Sequence, residues 1–115
     1  MSKSSRQAVT VRLLKSAALF AALGDGTRLE IVARLADGSQ QSITQLTEVA
    51  TVTRQAITKH LKVLENAGIV RSERSGRETL FALQPRSLEE AQRVLAAISE
   101  QWDAALARLK DFVEK

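Results

Sequence analysis

The sequence contains no cysteine, no tyrosine and a single proline, and aromatic residues make up only 3% of its 115 residues. The absence of cysteine excludes disulfides, thiolate metal sites and cysteine nucleophiles. Because aromatic rings are scarce, the core has to be built from Leu, Ile, Val and Ala, which favours packed helices over a β-sandwich. No apolar run approaches the roughly 20 residues that cross a bilayer, and residues 1–6 do not resemble a signal peptide. We therefore expect a small soluble protein of the cytoplasm.

The length and composition predict one globular domain with an uneven charge distribution. Apolar residues make up 44% of the chain and charged residues 26%, which is typical of a folded domain. The formal net charge is +4. Residues 53–77 contain six basic and two acidic residues, whereas residues 86–115 contain five basic and six acidic ones. This basic stretch indicates a polyanionic partner, although the charges alone are equally compatible with a solvated surface.

The first half of the chain predicts two helices before residue 40. Residues 10–23 are apolar on almost every side, which is typical of a helix covered on two faces, one by its own core and one by a second subunit. Asp25 or Thr27 can then cap a helix over residues 28–36. Its expected inward residues are Leu29, Val32 and Leu35.

The next segment has the outline of a helix-turn-helix. Ser42 and Gln45 have the spacing of a capping box and predict a short helix over residues 43–50. Thr53 is a suitable N-cap for a second helix over residues 54–66. Two short helices joined by about three residues are typical of this motif.

The second helix has one apolar and one polar face. The apolar side chains recur at helical spacing and predict core positions for Ile57, Leu61 and Leu64. The opposite face offers amide, hydroxyl and ammonium groups without a carboxylate, and consists of Gln55, Thr58, Lys59 and Lys62. Such a face can hydrogen-bond base edges and phosphate oxygens without repelling them.

Residues 69–73 and 77–83 are rich in strand-forming side chains and flank a Ser-Gly turn, which predicts a β-hairpin. Three arginines lie around its tip: Arg71, Arg74 and Arg77. We expect them to reach a phosphate backbone or a narrow minor groove.

A long helix closes the chain. Ser87 and Glu90 repeat the capping-box spacing, and the helix is predicted to run to about Val113. Its apolar positions alternate at spacings of three and four residues: Leu88, Ala91, Leu95, Ile98, Trp102, Ala105, Leu109 and Phe112. This seam predicts pairing with the same helix of a second copy. The expected dimer interface comprises Leu14, Ala18, Leu95, Ile98, Trp102, Ala105 and Leu109. Packing within one chain is the alternative, since Leu106 and Val113 widen the apolar stripe.

The order of these elements over residues 19–112 resembles the ArsR family of bacterial winged helix-turn-helix repressors. Residues 19–28, LFAALGDGTR, are similar to the family's opening Leu-x-Asp-x-Thr-Arg run. Residues 52–68 are similar to its recognition helix, with a Thr-x-His-Leu-x-x-Leu core, and residues 69–83 to its wing. Residues 101–106 are similar to a subgroup that lacks metal-site residues.

This resemblance implies a mainly α-helical fold with a small β-hairpin, in three parts. Residues 1–9 are expected to form a flexible N-terminus, residues 10–84 a winged helix-turn-helix DNA-binding domain, and residues 85–115 a dimerisation helix. The implied function is that of a homodimeric repressor of transcription that binds double-stranded DNA with sequence specificity. The positions that match the family's recognition helix are Thr53, Arg54, Gln55, Thr58, Lys59, His60 and Lys62.

The sequence departs from the metal-responsive members of that family. Residues 43–50 contain no cysteine and the last helix contains no histidine, so we expect no metal and no cofactor. A single histidine cannot form a zinc site of three or four ligands. We expect His60 either to contact a phosphate or to occupy a satisfied position on the flank of its helix. No inducer can be inferred.

Other classes of function remain as alternatives. The heptad helix could recruit a protein partner, which would make the chain an interaction adaptor with a merely solvated basic face. Binding of unpaired RNA is disfavoured because residues 53–77 contain no aromatic ring for stacking. An enzyme is not indicated, since the carboxylates are scattered and no set of nucleophile, base and orienting residue is apparent.

Overall fold

The computed structural model of the protein describes residues 3–114, and their side chains from residue 7 onward. Within this range the elements follow in the order α1 (Lys3–Lys15), α2 (Ala17–Leu23), α3 (Gly26–Leu35), β1 (Gln41–Ser42), α4 (Ile43–Glu48), α5 (Arg54–Asn66), β2 (Val70–Ser75), β3 (Glu78–Leu83) and α6 (Pro85–Glu114). The predicted fold class is confirmed: the chain is mainly helical, with a small sheet and a long last helix.

The N-terminal region differs from the prediction in two ways. Residues 3–9 belong to helix α1, whereas residues 1–9 were expected to be flexible; residues 1 and 2 lie outside the described range. No proline or glycine interrupts this stretch, and its Lys, Arg, Gln and Ala residues are good helix formers. The single helix predicted over residues 10–23 is two helices, which meet at the buried Ser16. The break lets α1 pack against α6 while α2 packs against α3 and α5.

Helix α3 begins at an Asp cap. The Asp25 carboxylate accepts a hydrogen bond from the Arg28 backbone N at 3.0 Å. Leu35 is fully buried and Val32 half-buried, as predicted, but Leu29 is 49% exposed and Ile31 lies in the core instead. The three-residue spacing used for the prediction drifts around a helix with 3.6 residues per turn, while residues four apart stay on one face.

The helix-turn-helix follows the prediction closely. Both bonds of the capping box form: the Ser42 Oγ accepts from the Gln45 N at 3.1 Å, and the Ser42 N donates to the Gln45 Oε1 at 2.8 Å. Helix α5 has the predicted bounds, and its Thr53 cap accepts from the Ala56 N. The helix ends before Gly68, whose φ of +76° favours glycine.

The sheet is larger than the sequence indicated. Strands β2 and β3 form the predicted hairpin, and its two-residue turn is Gly76–Arg77 with φ of +63° at the glycine. The short strand β1 was not predicted; it pairs with β3 and gives the order β1-β3-β2. Two-residue strands carry too little periodicity to be seen in a sequence.

Helix α6 is divided between the core and the surface. It begins at Pro85, so Ser87 is not the predicted cap; its hydroxyl donates to the Gly68 carbonyl, which fastens the start of α6 to the end of α5. Ala91 and Val94 are buried in the domain. The first turns of α6 therefore pack within their own chain, which was the alternative to pairing with a second copy. None of the described helices is long and apolar enough to cross a membrane.

The fully buried side chains come from α3, α4, α5, the residue before β2, and α6: Leu35, Leu46, Ile57, Leu61, Leu64, Ile69 and Val94. The predicted inward residues of α5 are all among them. The aliphatic core packs against one face of α5. The polar face of α5 remains at the surface.

Candidate nucleic-acid interface

The polar face of α5 is exposed along its length. Gln55, Thr58, Lys59 and Lys62 all lie at the surface. Thr58 donates its hydroxyl hydrogen to the Arg54 carbonyl at 2.9 Å, so toward solvent it presents a methyl group and an acceptor oxygen. Among the side chains of residues 7–114, Lys59 and Lys62 form no ion pair. The two ammonium groups are therefore available to an external anion.

The first residues of α5 are exposed but already have partners within the protein. The Thr53 hydroxyl caps the helix. The Arg54 guanidinium donates to the Thr44 hydroxyl at 3.0 Å, which joins the two helices of the helix-turn-helix. Both residues lie at the N-terminal end of the polar face, and each has a structural role there. Their contacts with DNA stay a prediction.

His60 does not lie on this face. Its side chain is only 23% exposed, and its Nδ1 lies 3.3 Å from the Arg28 Nη1 and 3.8 Å from the Asp25 carboxylate. Of the two positions expected for this residue, the structure shows the satisfied helix flank. A contact of His60 with DNA stays a prediction, and the neighbouring Arg28 and Asp25 lie on the side of α5 from which the imidazole projects.

Asp25 carries a negative charge in this cluster. The hydrogen bond from the Arg28 amide lowers the pKa of the Asp25 carboxyl below its ordinary value, against a smaller opposing effect of burial, and the guanidinium charge of Arg28 lowers the pKa further. The sequence analysis identified Asp25 as a cap but missed Arg28 as a partner of the recognition helix. The Asp-x-Thr-Arg run was the signal that could have drawn attention to it.

The three wing arginines point in different directions. Residues two apart on a strand share a face, so Arg74 lies on the same side of β2 as Ser72, whose hydroxyl donates to Glu65 of α5 at 2.6 Å. Arg71 lies on the other side, where it approaches Glu73 at 3.8 Å and Gln84 at 3.3 Å. Arg77 occupies the turn. Arg74 and Arg77 are exposed and, in the described part of the chain, without an ion pair.

An open groove of about 310 Å³ separates α5 from the base of the wing. The polar side chains along its rim are Thr58, Lys59, Lys62 and Glu65. Its floor is apolar and consists of Ile43, Leu61 and Phe81. The sequence analysis missed the floor, because Ile43 and Phe81 come from separate segments and resemble ordinary core residues. The groove therefore lies between the polar face of α5 and the wing, with Lys59 and Lys62 along its rim.

Comparison with known proteins identifies the family. Residues 23–73 match a helix-turn-helix domain family. The solved structure of an ArsR-like transcriptional regulator from Rhodococcus sp. RHA1 is 38% identical and superimposes with a TM-score of 0.75, over 86% of this chain and 92% of that one. The protein belongs to the ArsR family. It is therefore a DNA-binding regulator of transcription with a winged helix-turn-helix, and its relatives are regulators rather than enzymes.

Curated relatives of this ArsR-family regulator are also described as regulators of transcription. The HTH-type regulator YuzN of Bacillus subtilis is 44% identical over 66 residues, which are 52% of this chain and 72% of YuzN. The HTH-type repressor SmtB of Mycobacterium tuberculosis is 36% identical over 88 residues, which are 76% of this chain. The chain spans only 63% of that repressor's length. Family membership favours the regulator over the adaptor that the sequence left as an alternative.

No cluster of three or more potential metal ligands occurs among residues 3–114 of this regulator. His60 lies near one carboxylate only. The absence of a metal and of a cofactor stays a prediction.

The residues predicted for the dimer interface are mostly at the surface of the single chain. Leu14, Ala18, Leu95, Trp102 and Leu109 are exposed, while Ile98 and Ala105 are half-buried. Beyond this predicted set, Phe112 and Val113 are also exposed. A long apolar surface on α1, α2 and α6 is thus available to a partner.

Proposed function

We propose that this ArsR-family regulator is a cytoplasmic repressor that binds a palindromic operator as a homodimer. Helix α5 enters the major groove, and the wing lies on the flanking backbone or minor groove. The observation that carries the proposal is the exposed face of α5, which combines amide, hydroxyl and unpaired ammonium groups; the carboxylate of α5 beside them, Glu65, accepts a hydrogen bond from Ser72.

The dimensions of α5 suit the major groove. Its 13 residues extend for about 20 Å at 1.5 Å per residue. A helix with its side chains is roughly 10–12 Å wide, and the major groove is about 12 Å wide. In this orientation Gln55 can pair with an adenine edge, and the Thr58 methyl can contact a thymine methyl. Lys59 and Lys62 then bind phosphates on either side.

The wing adds contacts outside the groove. Arg74 projects on the side of the hairpin turned toward α5, and Arg77 lies at the tip, so both can reach the flanking backbone or a narrow minor groove. Arg71 projects on the opposite side and interacts with Glu73 and Gln84. We therefore assign it a smaller contribution than the sequence suggested.

The exposed apolar surface supports a dimer. Trp102, Leu109 and Phe112 are each more than half exposed on α6, and a contiguous surface of this kind marks an interaction site. The Gln101 Nε2 beside them is buried without a hydrogen-bond partner in the described chain. A second copy packed on this stripe would supply an acceptor. Two recognition helices about 34 Å apart would read half-sites in successive major grooves.

The experiment begins with selection of duplexes from a random library by the wild-type protein, followed by footprinting. We expect a palindromic site with two protected half-sites. Gln55→Ala should then relax the preference at one position at a cost of roughly 1–3 kcal/mol. Lys62→Ala should weaken binding to all sequences and flatten the dependence of log affinity on log salt by about one unit.

Lys110→Ala is the matched control, since it removes the same charge from the far end of α6 and should leave the salt dependence unchanged. Equal loss of sequence preference in the Gln55 and Lys62 variants would contradict the separate roles. Failure to select any duplex would favour an adaptor that binds protein partners.

A further inference from the structure

Arg28 connects three helices through one guanidinium group. Its Nε donates to the Ala22 carbonyl at 2.6 Å, its Nη2 lies 3.4 Å from the Ala21 carbonyl, and its Nη1 lies 3.3 Å from His60 Nδ1. Arg28 itself belongs to the first turn of α3, where its amide binds Asp25. The side chain therefore spans the end of α2 and the flank of α5.

The contacts with α2 are made to two carbonyls of its last turn, of which that of Ala21 also accepts from the Gly24 N at 3.1 Å. The last carbonyls of a helix have no intrahelical partner and carry its negative dipole end. A guanidinium placed there is held by hydrogen bonds and by charge. The hydrogen bonds to α2 therefore hold the Arg28 guanidinium in place independently of α5. The position of His60 can then be set by its contact with this guanidinium.

The Arg28 guanidinium and the His60 ring meet at 3.3 Å. Arginine is a donor only, so a hydrogen bond between the two requires the His60 Nδ1 as its acceptor. Asp25 lies 3.8 Å from the same nitrogen, which is too long for a hydrogen bond. Arg28 therefore determines where the imidazole of His60 lies, and Asp25 contributes its charge to the cluster.

The position of His60 controls how α5 presents its polar face. Side-chain tips lie roughly 5–6 Å from the helix axis, so a rotation of about 10° moves a tip by about 1 Å. Such a shift is enough to break a hydrogen bond whose length ranges over roughly 2.7–3.2 Å. Contacts with phosphates by flexible lysines tolerate it, but a bidentate contact by Gln55 does not.

We propose that Arg28 and His60 are positioning residues for sequence recognition: their contact sets the rotation of α5 on α2 and α3, and thereby the register of Gln55 on the base edges. The proposal rests on the proposed function, since it assumes that α5 reads DNA. It predicts that loss of the contact reduces discrimination between sequences more than it reduces affinity for DNA in general.

The test compares two substitutions of the same histidine. His60→Leu removes the acceptor and keeps a similar volume, whereas His60→Asn keeps an acceptor oxygen close to the position of Nδ1. The probes are a duplex selected by the wild-type protein and a scrambled duplex of equal composition. We expect His60→Leu to lose about tenfold on the selected duplex, which corresponds to one lost hydrogen bond, and to bind the scrambled duplex as the wild type does. His60→Asn should recover most of the loss.

The outcomes separate a positioning role from a structural one. Wild-type binding by His60→Leu, an equal loss on both duplexes, or equal losses in the Leu and Asn variants would each overturn the proposal. If the wild-type protein selects no duplex, the proposed function fails, and with it the role assigned to this contact.

A double-mutant cycle keeps the proposal testable if His60→Leu folds poorly. Arg28→Lys keeps the charge at the end of α2 but lacks the second branch that reaches His60. We expect it to lose discrimination in the wild-type background and nearly as much in His60→Asn, which keeps the acceptor, but much less in His60→Ala, which has no acceptor. If the loss of discrimination in the double mutant equals the product of the losses in the two single mutants, the two residues act independently and the proposed contact is refuted.

Discussion

Replacing Trp102 by alanine should dissociate the proposed dimer and leave the fold of the single chain intact. In the isolated chain 64% of Trp102 is exposed, so the indole contributes little to the core of its own domain. The neighbouring Leu106 and Leu109 are exposed to a similar extent. Trp102 is thus the largest side chain of an exposed apolar surface that the proposed dimer would bury.

The magnitude follows from that exposure. A fully buried aromatic side chain removes roughly 150–250 Å² from water, and about two thirds of this area remains for a partner of Trp102. At ~25 cal/mol per Å² the burial contributes about 2.5–4 kcal/mol per protomer. A two-fold interface contains the residue twice, so truncation should raise the dimer Kd at least about a thousandfold.

Sedimentation velocity over a range of concentrations measures this effect, and circular dichroism with thermal melting reports the fold. Glu100→Ala is a suitable control, because Glu100 is exposed on the opposite side of α6. We expect wild-type dimerisation in the control and folded monomers in Trp102→Ala, with weaker binding to the selected duplex. A Trp102→Ala dimer of wild-type stability would refute the assignment of this surface. A folded monomer with wild-type DNA affinity would show that dimerisation is not required.

Two further predictions concern protons and metals. Because the pKa of Asp25 lies below its ordinary value in the fold, its carboxylate stabilises the protein above the unfolded pKa of about 3.9, and this contribution is lost as the pH falls through the lower folded value. Urea melts from pH 7 to pH 3 should therefore show the wild type losing stability relative to Asp25→Asn, and a constant difference would contradict the role of the charge. Zinc, cadmium, nickel and arsenite should not change the affinity for the selected duplex, since the sequence has no cysteine and His60 lies near one carboxylate only; stoichiometric metal binding with release of DNA would show a metal sensor.

Local signals were enough to predict the helix-turn-helix. The caps at Ser42 and Thr53 and the bounds of α5 are confirmed, because a cap, a four-residue spacing and a terminating glycine act within a few residues of one another. The same reasoning separated the buried Ile57 and Leu61 from the polar face. A pattern with the period of a helix determines which side chains share a face wherever that helix is placed.

Predictions that depended on distant neighbours were less accurate. Ser87 has the spacing of a cap, yet its hydroxyl binds Gly68, nineteen residues away. The strand β1 exists only because β3 lies beside it. Leu29 was placed in the core by its spacing, but no element covers that side of α3 closely enough to bury it.

The amphipathic helix α5, the basic hairpin and the long apolar stripe could each be predicted from the sequence, since each follows from side chains close together in the chain. Which edge residues lie on the exposed polar surface depended on the tertiary structure. His60 and Lys59 are adjacent in sequence, yet α3 covers one and leaves the other exposed. Likewise Arg71 and Arg74 have the same chemistry but lie on opposite faces of the hairpin. Their roles differ because the partner of a side chain at the edge of a helix or strand depends on which element packs there, and that packing is a property of the whole chain.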